Sequence, residues 1–315
     1  MFELSASNAA DYLGYPCTAT LLGGGVSNTV VLVETTGGRF ILKQSLGKLK
    51  VEQDWFSDRR RIFREASAMR QLKPLLPPGA VPDILFEDRA NYLFAMSAAP
   101  EPCMPWKDVL LEGDIRLETA EAAARILGAM ISRTRNNEAM EVEFGDQTIF
   151  DELRIDPYYR AAALRHPDLA LYFQQLIEES GRRRYSLVHG DWSPKNLLVS
   201  NTLMAIDFEV IHFGDPSFDA AFLLNHLLLK SFHRPEWRSG YFSAARRFWE
   251  ALSGSLDLED WFEPATVAHL GALLLARIDG KSPAEYIRDA GLKNEIRSYA
   301  RQLIRDQPPI RSIFL

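Results

Sequence analysis

The chain has 315 residues, 47% of them hydrophobic, and a formal net charge of −6. That length can build two lobes around a shared cleft, and the acidic balance gives no electrostatic case for a nucleic-acid partner. Cys17 and Cys103 form neither a disulfide framework nor a C-x-x-C metal pattern, and no apolar run reaches the ~20 residues that span a bilayer, so a reducing cytoplasm without a membrane partner is expected.

Met1–Tyr15 has no basic region ahead of an apolar core, so it does not read as a signal peptide; Ser5–Tyr15 reads as a short lead-in helix. Thr18–Leu22 and Thr29–Glu34 read as strands around a loop of Gly23, Gly24, Gly25, Val26, Ser27 and Asn28. Three glycines let backbone N–H groups approach a phosphate closely, although a plain glycine hairpin has the same composition. After a turn at Thr36-Gly37-Gly38, the strand Arg39–Gln44 carries Lys43 among apolar residues, where lysine is uncommon. Ser57–Lys73 has apolar residues at Ile62, Ala66, Met69 and Leu72, which predicts an amphipathic helix with Ser57 or Asp58 as N-cap. Glu65, beside that stripe, pairs either with Lys43 or with Arg61 one turn back.

Pro74–Pro82 is a connector, and Asp83–Glu87 and Tyr92–Met96 complete an expected five-stranded sheet with one helix. The proline-rich Ser97–Pro105 follows, as a hinge would. Beyond it the chain turns helical at Leu117–Ser132, Pro167–Ser180, Phe218–Lys230, Pro235–Leu252, Leu258–Arg277 and Pro283–Arg305. Asp146–Arg160 either lines a cleft or packs on the surface. Arg182–Arg184 reads as a solvated helix end. Arg277, Asp279 and Lys281 surround a glycine stop that either only ends a helix or also reaches a cleft. The six histidines show no zinc spacing.

Tyr185–Asp219 carries the chemistry. Its polar loop, H-G-D-W-S-P-K-N, lies between short apolar runs and is followed by I-D-F-E. An acid, an amide five residues on and a second acid sixteen residues after the first form the spacing of a kinase catalytic loop and its metal aspartate. Phosphoryl transfer needs a carboxylate on the acceptor hydroxyl, a role that suits Asp191. It also needs oxygen ligands for Mg2+ on the phosphates of ATP, which suits Asn196 and Asp207.

H-G-D-W-S-P-K-N-L-L, I-D-F-E and G-D-P-S-F-D resemble the aminoglycoside phosphotransferase and choline kinase superfamily, and the stretch from Lys43 through Lys50–Trp55 to Glu65 more weakly resembles methylthioribose kinase. The resemblance implies an α+β, protein-kinase-like fold with an N-lobe of residues 1–97 and a mostly helical C-lobe of 98–315. It implies that Lys43, held by Glu65, contacts the nucleotide phosphates, that adenine lies near Met96–Ala98, and that Asp219 braces the catalytic loop. His189 would then be structural rather than a general base, and Lys195 would stand near the transferred group. The implied activity is ATP-dependent phosphorylation of a small-molecule hydroxyl.

The acceptor is less legible. Residues 231–315 hold 12 Lys+Arg against 11 Asp+Glu, without the acidic surplus that a polycationic aminoglycoside calls for. A choline or ethanolamine kinase would need an aromatic cage, for which Trp192, Phe213 and Trp237 are available. A neutral sugar-like or methylthioribose-like acceptor is expected. The rival classes are a nucleotide-binding pseudokinase and a scaffold that works through Arg182–Arg184.

Overall fold

The structure is a computed structural model that describes residues 2–23, 27–48 and 56–315. Gly24 and Gly25 of the glycine loop, and the Lys50–Trp55 part of the methylthioribose kinase resemblance, lie outside the described residues.

Strands β1 (Thr18–Leu21), β2 (Asn28–Thr35), β3 (Gly38–Ser45), β4 (Ile84–Asp88) and β5 (Leu93–Ser97) form one antiparallel sheet in the order β1-β2-β3-β5-β4. Side chains alternate across it. Val31, Val33, Leu42, Leu93 and Ala95 pack on one face beneath Leu4 and Ala9 of the N-terminal segment. Ile41, Phe94 and Met96 pack on the other face with Ile62, Ala66, Met69 and Leu72 of the helix Arg61–Leu72. The same alternation turns Lys43, two residues beyond Ile41, toward that helix. The helix starts later than its sequence suggested. Its N-cap is Arg60, and Asp58 instead accepts from Arg60 N at 2.8 Å, closing the turn before it.

After β5 come a two-residue strand β6 (Met104–Pro105) and a helical body. Its main helices are Leu117–Thr134, Ala170–Arg182, Ser217–His233, Arg238–Ser255, Phe262–Asp279 and Ala290–Asp306. Several starts differ from the sequence reading. Pro167 and Pro235 open single 3-10 turns ahead of the helices proper, because proline suits a first turn but cannot donate within it. Residues Pro283–Asp289 are not helical; the final long helix begins only where Asp289 accepts from Leu292 N at 2.7 Å. Asp151–Arg160 winds as a π-helix with Pro157 inside it.

Two small sheets form within residues 104–214. β7 (Ser186–Val188) pairs with β10 (His212–Gly214), and β8 (Leu197–Val199) pairs with both β6 and β9 (Leu203–Ala205). One continuous apolar core runs from Ile41 and Ile62 through Trp106 to Leu227 and Leu274, so both lobes share it. Among the described residues no helix is long and apolar enough to cross a membrane. Ile62 is fully buried where helix meets sheet. Ile62→Ala should therefore lower unfolding free energy by ~2–5 kcal/mol in urea titration, and a loss below 1 kcal/mol would show that the seam repacks freely.

Candidate active site

Three elements meet at Lys43. Its ammonium donates to Glu65 Oε1 at 2.7 Å and to Asp207 Oδ1 at 2.6 Å, and Glu65 Oε1 also accepts from Phe208 N at 3.1 Å. Lys43 and Glu65 are buried, while the Asp207 side chain keeps 20% of its surface exposed. Burial alone would lower the Lys43 pKa, but Asp207 and Glu65 overcome it and raise it. One cation between two carboxylates divides them. Desolvation raises Glu65, whereas Lys43 and Lys195 overcome burial at Asp207 and hold it well below the usual carboxylate range. Asp207 thus remains an anion with an open side, at a left-handed φ of 67°.

The loop between β7 and β8 holds the second group. Asp219, buried in the first turn of Ser217–His233, accepts from His189 N at 2.6 Å and Gly190 N at 2.9 Å. Gly190 has φ 79°, and a Cβ there would stand 2.8 Å from Val210 Cγ1, so the arginine of the H-R-D pattern has no room. Asn196 Nδ2 donates to Asp191 O at 3.0 Å, and Asn196 O accepts from Ile206 N at 3.0 Å, tying the loop to the residue before Asp207. His189 is buried, with Nδ1 accepting from Asp191 N at 3.2 Å and Nε2 facing Ile206 O at 3.1 Å, which describes a neutral imidazole holding backbone.

Asp191 has a partner that the sequence did not single out. Arg154, from the π-helix, lies 2.9 Å from Asp191 Oδ2 and donates from Nε to Gly190 O at 2.6 Å. Only the acid- and arginine-rich character of Asp146–Arg160 pointed there.

Glu209 is a second hub. It accepts from Ser27 Oγ at 2.6 Å, Asn28 Nδ2 at 2.9 Å and Arg61 Nε at 3.2 Å. The side chains of Ser27 and Asn28, expected on nucleotide phosphates, are buried on this carboxylate, so that stretch of the loop has only backbone to offer a ligand. Gly23 is exposed at the loop's other end. Met96 is buried at the end of β5 and Ala98 partly exposed beyond it.

Other candidates part company. Trp192 and Phe213 are core side chains, and Trp237 packs against Gly113 and Arg234, so the three do not make a cage. Of Arg182–Arg184, only Arg182 is a solvated end. Arg183 pairs with Asp215 at 2.9 Å, and Arg184 donates to Gly145 O at 2.6 Å. Asp279 binds Arg297 and His166, and Lys281 binds Asp156, whereas Arg277 turns inward to the Tyr158 hydroxyl at 3.3 Å.

No group of three or more His, Cys, Asp and Glu side chains gathers as a metal site among the described residues. Magnesium does not require one, because it binds through one or two protein oxygens, phosphates and water. An ionised, part-exposed Asp207 and the amide oxygen of Asn196 fit that demand.

The model of the phosphotransferase enzyme family, APH, matches residues 18–255. Methylthioribose kinase 2 of Oryza sativa subsp. japonica is 25% identical over 240 residues, 67% of this chain; the match spans only 56% of that relative's length. Among solved structures, the GDP and kanamycin complex of APH(2")-IIia aligns with a TM-score of 0.55 at 14% identity, covering 96% of this chain and 98% of that one. Spectinomycin phosphotransferase APH(9)-Ia, with ADP and spectinomycin, aligns with a TM-score of 0.55 at 12% identity, covering 99% and 98%. These likenesses agree with the kinase-like α+β fold.

The site carries an acid sensitivity. Burial pushes His189 down to about 4 and His212 down to about 3, against ~6.5 in an unfolded chain. A depressed folded pKa gives stability that is present above ~6.5 and lost as pH falls toward the folded value. The urea midpoint should drop between pH 6.5 and 5, with ~1.4 kcal/mol per pH unit as the limit for each histidine. Glu65 and Asp219, which burial raises to about 7, act in the opposite sense, so a flat midpoint over that window would mean that their proton uptake offsets the two rings.

Proposed function

The chain belongs to the phosphotransferase enzyme family, and we propose that it transfers the γ-phosphoryl group of ATP to a hydroxyl of a small, sugar-derived molecule. The observation that carries this reading is the placement of Asp191, fixed by Arg154 and by the Asn196 amide, on the loop that leads to the Lys43–Glu65–Asp207 triad. Lys43 takes the α and β phosphates. Gly23, with backbone of the loop that ends at Ser27 and Asn28, covers them, and backbone near Met96 and Ala98 meets the adenine. Asn196 and Asp207 hold Mg2+, which neutralises phosphate charge. Residues 1–97 form the nucleotide side of the cleft and 98–315 the acceptor side.

Asp191 orients the acceptor hydroxyl. The hydroxyl oxygen bonds to the γ phosphorus as the bond from phosphorus to the β–γ bridging oxygen breaks. ADP leaves with that electron pair, and the hydroxyl proton passes to Asp191. A small acceptor is favoured over a protein because β10 and the Ser217–His233 helix follow Asp207 within a few residues, without an activation segment. The buried Trp192 and Phe213 speak against choline, and the rice relative's name speaks for a sugar-derived acceptor.

Asp191→Ala should cut kcat by ~10²-fold or more while leaving ATP affinity nearly unchanged; a variant that keeps a tenth of the rate would remove Asp191 from this role. Asp207→Ala should abolish the magnesium enhancement of ATP binding in calorimetry. If the enhancement persists in full, another carboxylate is the main ligand.

A further inference from the structure

A succession of cationic and aromatic side chains leads away from Asp191. Arg154 lies between Asp191 and the rings of Tyr158 and Phe222, 5.8 and 6.0 Å from their centres. Behind those rings come His226, 5.2 Å from Phe222, and Arg277, which donates to the Tyr158 hydroxyl. One turn past His226 on the same helix is Lys230. Lys107, from the short helix after β6, and Lys195, from the catalytic loop, act electrostatically on the same histidine. The carboxylates acting on Lys230 are Asp108 and Glu285, and Glu285 is engaged by Lys107.

Lys230 is the anomaly. It is fully buried, 5.4 Å from the centre of the Tyr286 ring, and its ammonium has no hydrogen-bond partner among the described residues. Nε of Arg277 and the Tyr286 hydroxyl are likewise unpartnered among them. Burial, reinforced by Lys107 and Arg277, pushes the Lys230 pKa down to about 7. Its neighbours on the helix, Leu227, Leu228, Leu229 and Phe232, are buried as well. A buried ammonium without an acceptor is costly unless an anion completes it. Arg277 Nη1 is engaged by Tyr158 and Ser282, which leaves the Lys230 ammonium, Arg277 Nε and the Tyr286 hydroxyl as the donors open to such a group.

We propose that Lys230, Arg277 and Lys107 form an anion subsite beside Asp191, so that the acceptor carries a carboxylate or a phosphate ester as well as the hydroxyl that is phosphorylated. This rests on the phosphotransferase reading and replaces the neutral sugar expected from the sequence with a sugar acid, a sugar phosphate or a smaller hydroxy acid. Arg154 and Asp191 stand at the acceptor's hydroxyl end.

The test uses the full chain saturated with ADP and titrated by calorimetry. Carboxylate probes are D-glycerate and D-gluconate, phosphate-ester probes are glycerol 3-phosphate and D-glucose 6-phosphate, and the neutral counterparts are glycerol and D-glucose. At least one acid should bind tenfold or more tightly than its neutral counterpart, and the arm that wins says which anion the subsite takes. Lys230→Met should abolish that advantage and, by removing a buried cation, raise Tm. Lys107→Ala, at a partly exposed position that tolerates truncation, should reduce the same ratio severalfold. If no acid outbinds its neutral counterpart, or if Lys230→Met retains the advantage, the proposal fails. Slow transfer from ATP to water, tested against Asp191→Ala, reports on the phosphotransferase reading separately and can survive that failure.

Discussion

Everything in the cleft depends on the buried ammonium of Lys43. It arrives on a strand, and its two carboxylates arrive on a helix and on the turn after β9, so three segments distant in sequence meet at one charge. Removing one partner from a buried pair typically costs ~3–5 kcal/mol, far more than such a pair adds over an apolar replacement. The triad is therefore weak as a source of stability and strong as a source of geometry. No one of the three elements can shift without leaving a charge unanswered. Asp207 sits in the left-handed region under that constraint, where an aspartate is tolerated better than most side chains.

A second ionic hub explains why the residue after Asp207-Phe208 is glutamate rather than glycine. Glu209 binds Ser27, Asn28 and Arg61, and so fastens the start of β2 and the start of the Arg61–Leu72 helix to the same turn that holds Asp207. A glycine could make none of these bonds. The consequence for the glycine loop is physical. Its last two polar side chains are spent on Glu209, and whatever phosphate contact it makes falls to backbone N–H groups.

Legibility in the sequence followed the range of the interaction. The sheet could be read because alternation and turn residues are local signals, and the loop of Asp191 and Asn196 and the turn of Asp207 could be placed because short apolar runs bound them on both sides. Arg154 could not, since it reaches the loop from 36 residues before Gly190 and lies in a π-helix, where a 3.6-residue period gives no guide to the inward face. Helix starts at Pro167, Pro235 and Pro283 were misplaced because proline is compatible with a helix, a 3-10 turn and an extended start alike, and tertiary packing decides among them. Trp192 and Phe213 looked available for a cage because composition does not distinguish a lining ring from a core ring.

The C-terminal helices illustrate the same limit for charge. Over residues 231–315 the signs nearly cancel, and that average suggested a neutral ligand. The fold sorts them. Asp279 is turned to Arg297 and His166, Asp289 caps a helix and Glu259 pairs with Arg135, all of them structural uses, while Arg277 points inward beside Lys230, a residue just outside that window. A near-zero sum can therefore enclose a local cationic surface, because a carboxylate committed to a cap or an ion pair no longer offsets a cation across the cleft. In a low-dielectric setting a few unanswered donors weigh more on a nearby charge than the net charge of the whole lobe does.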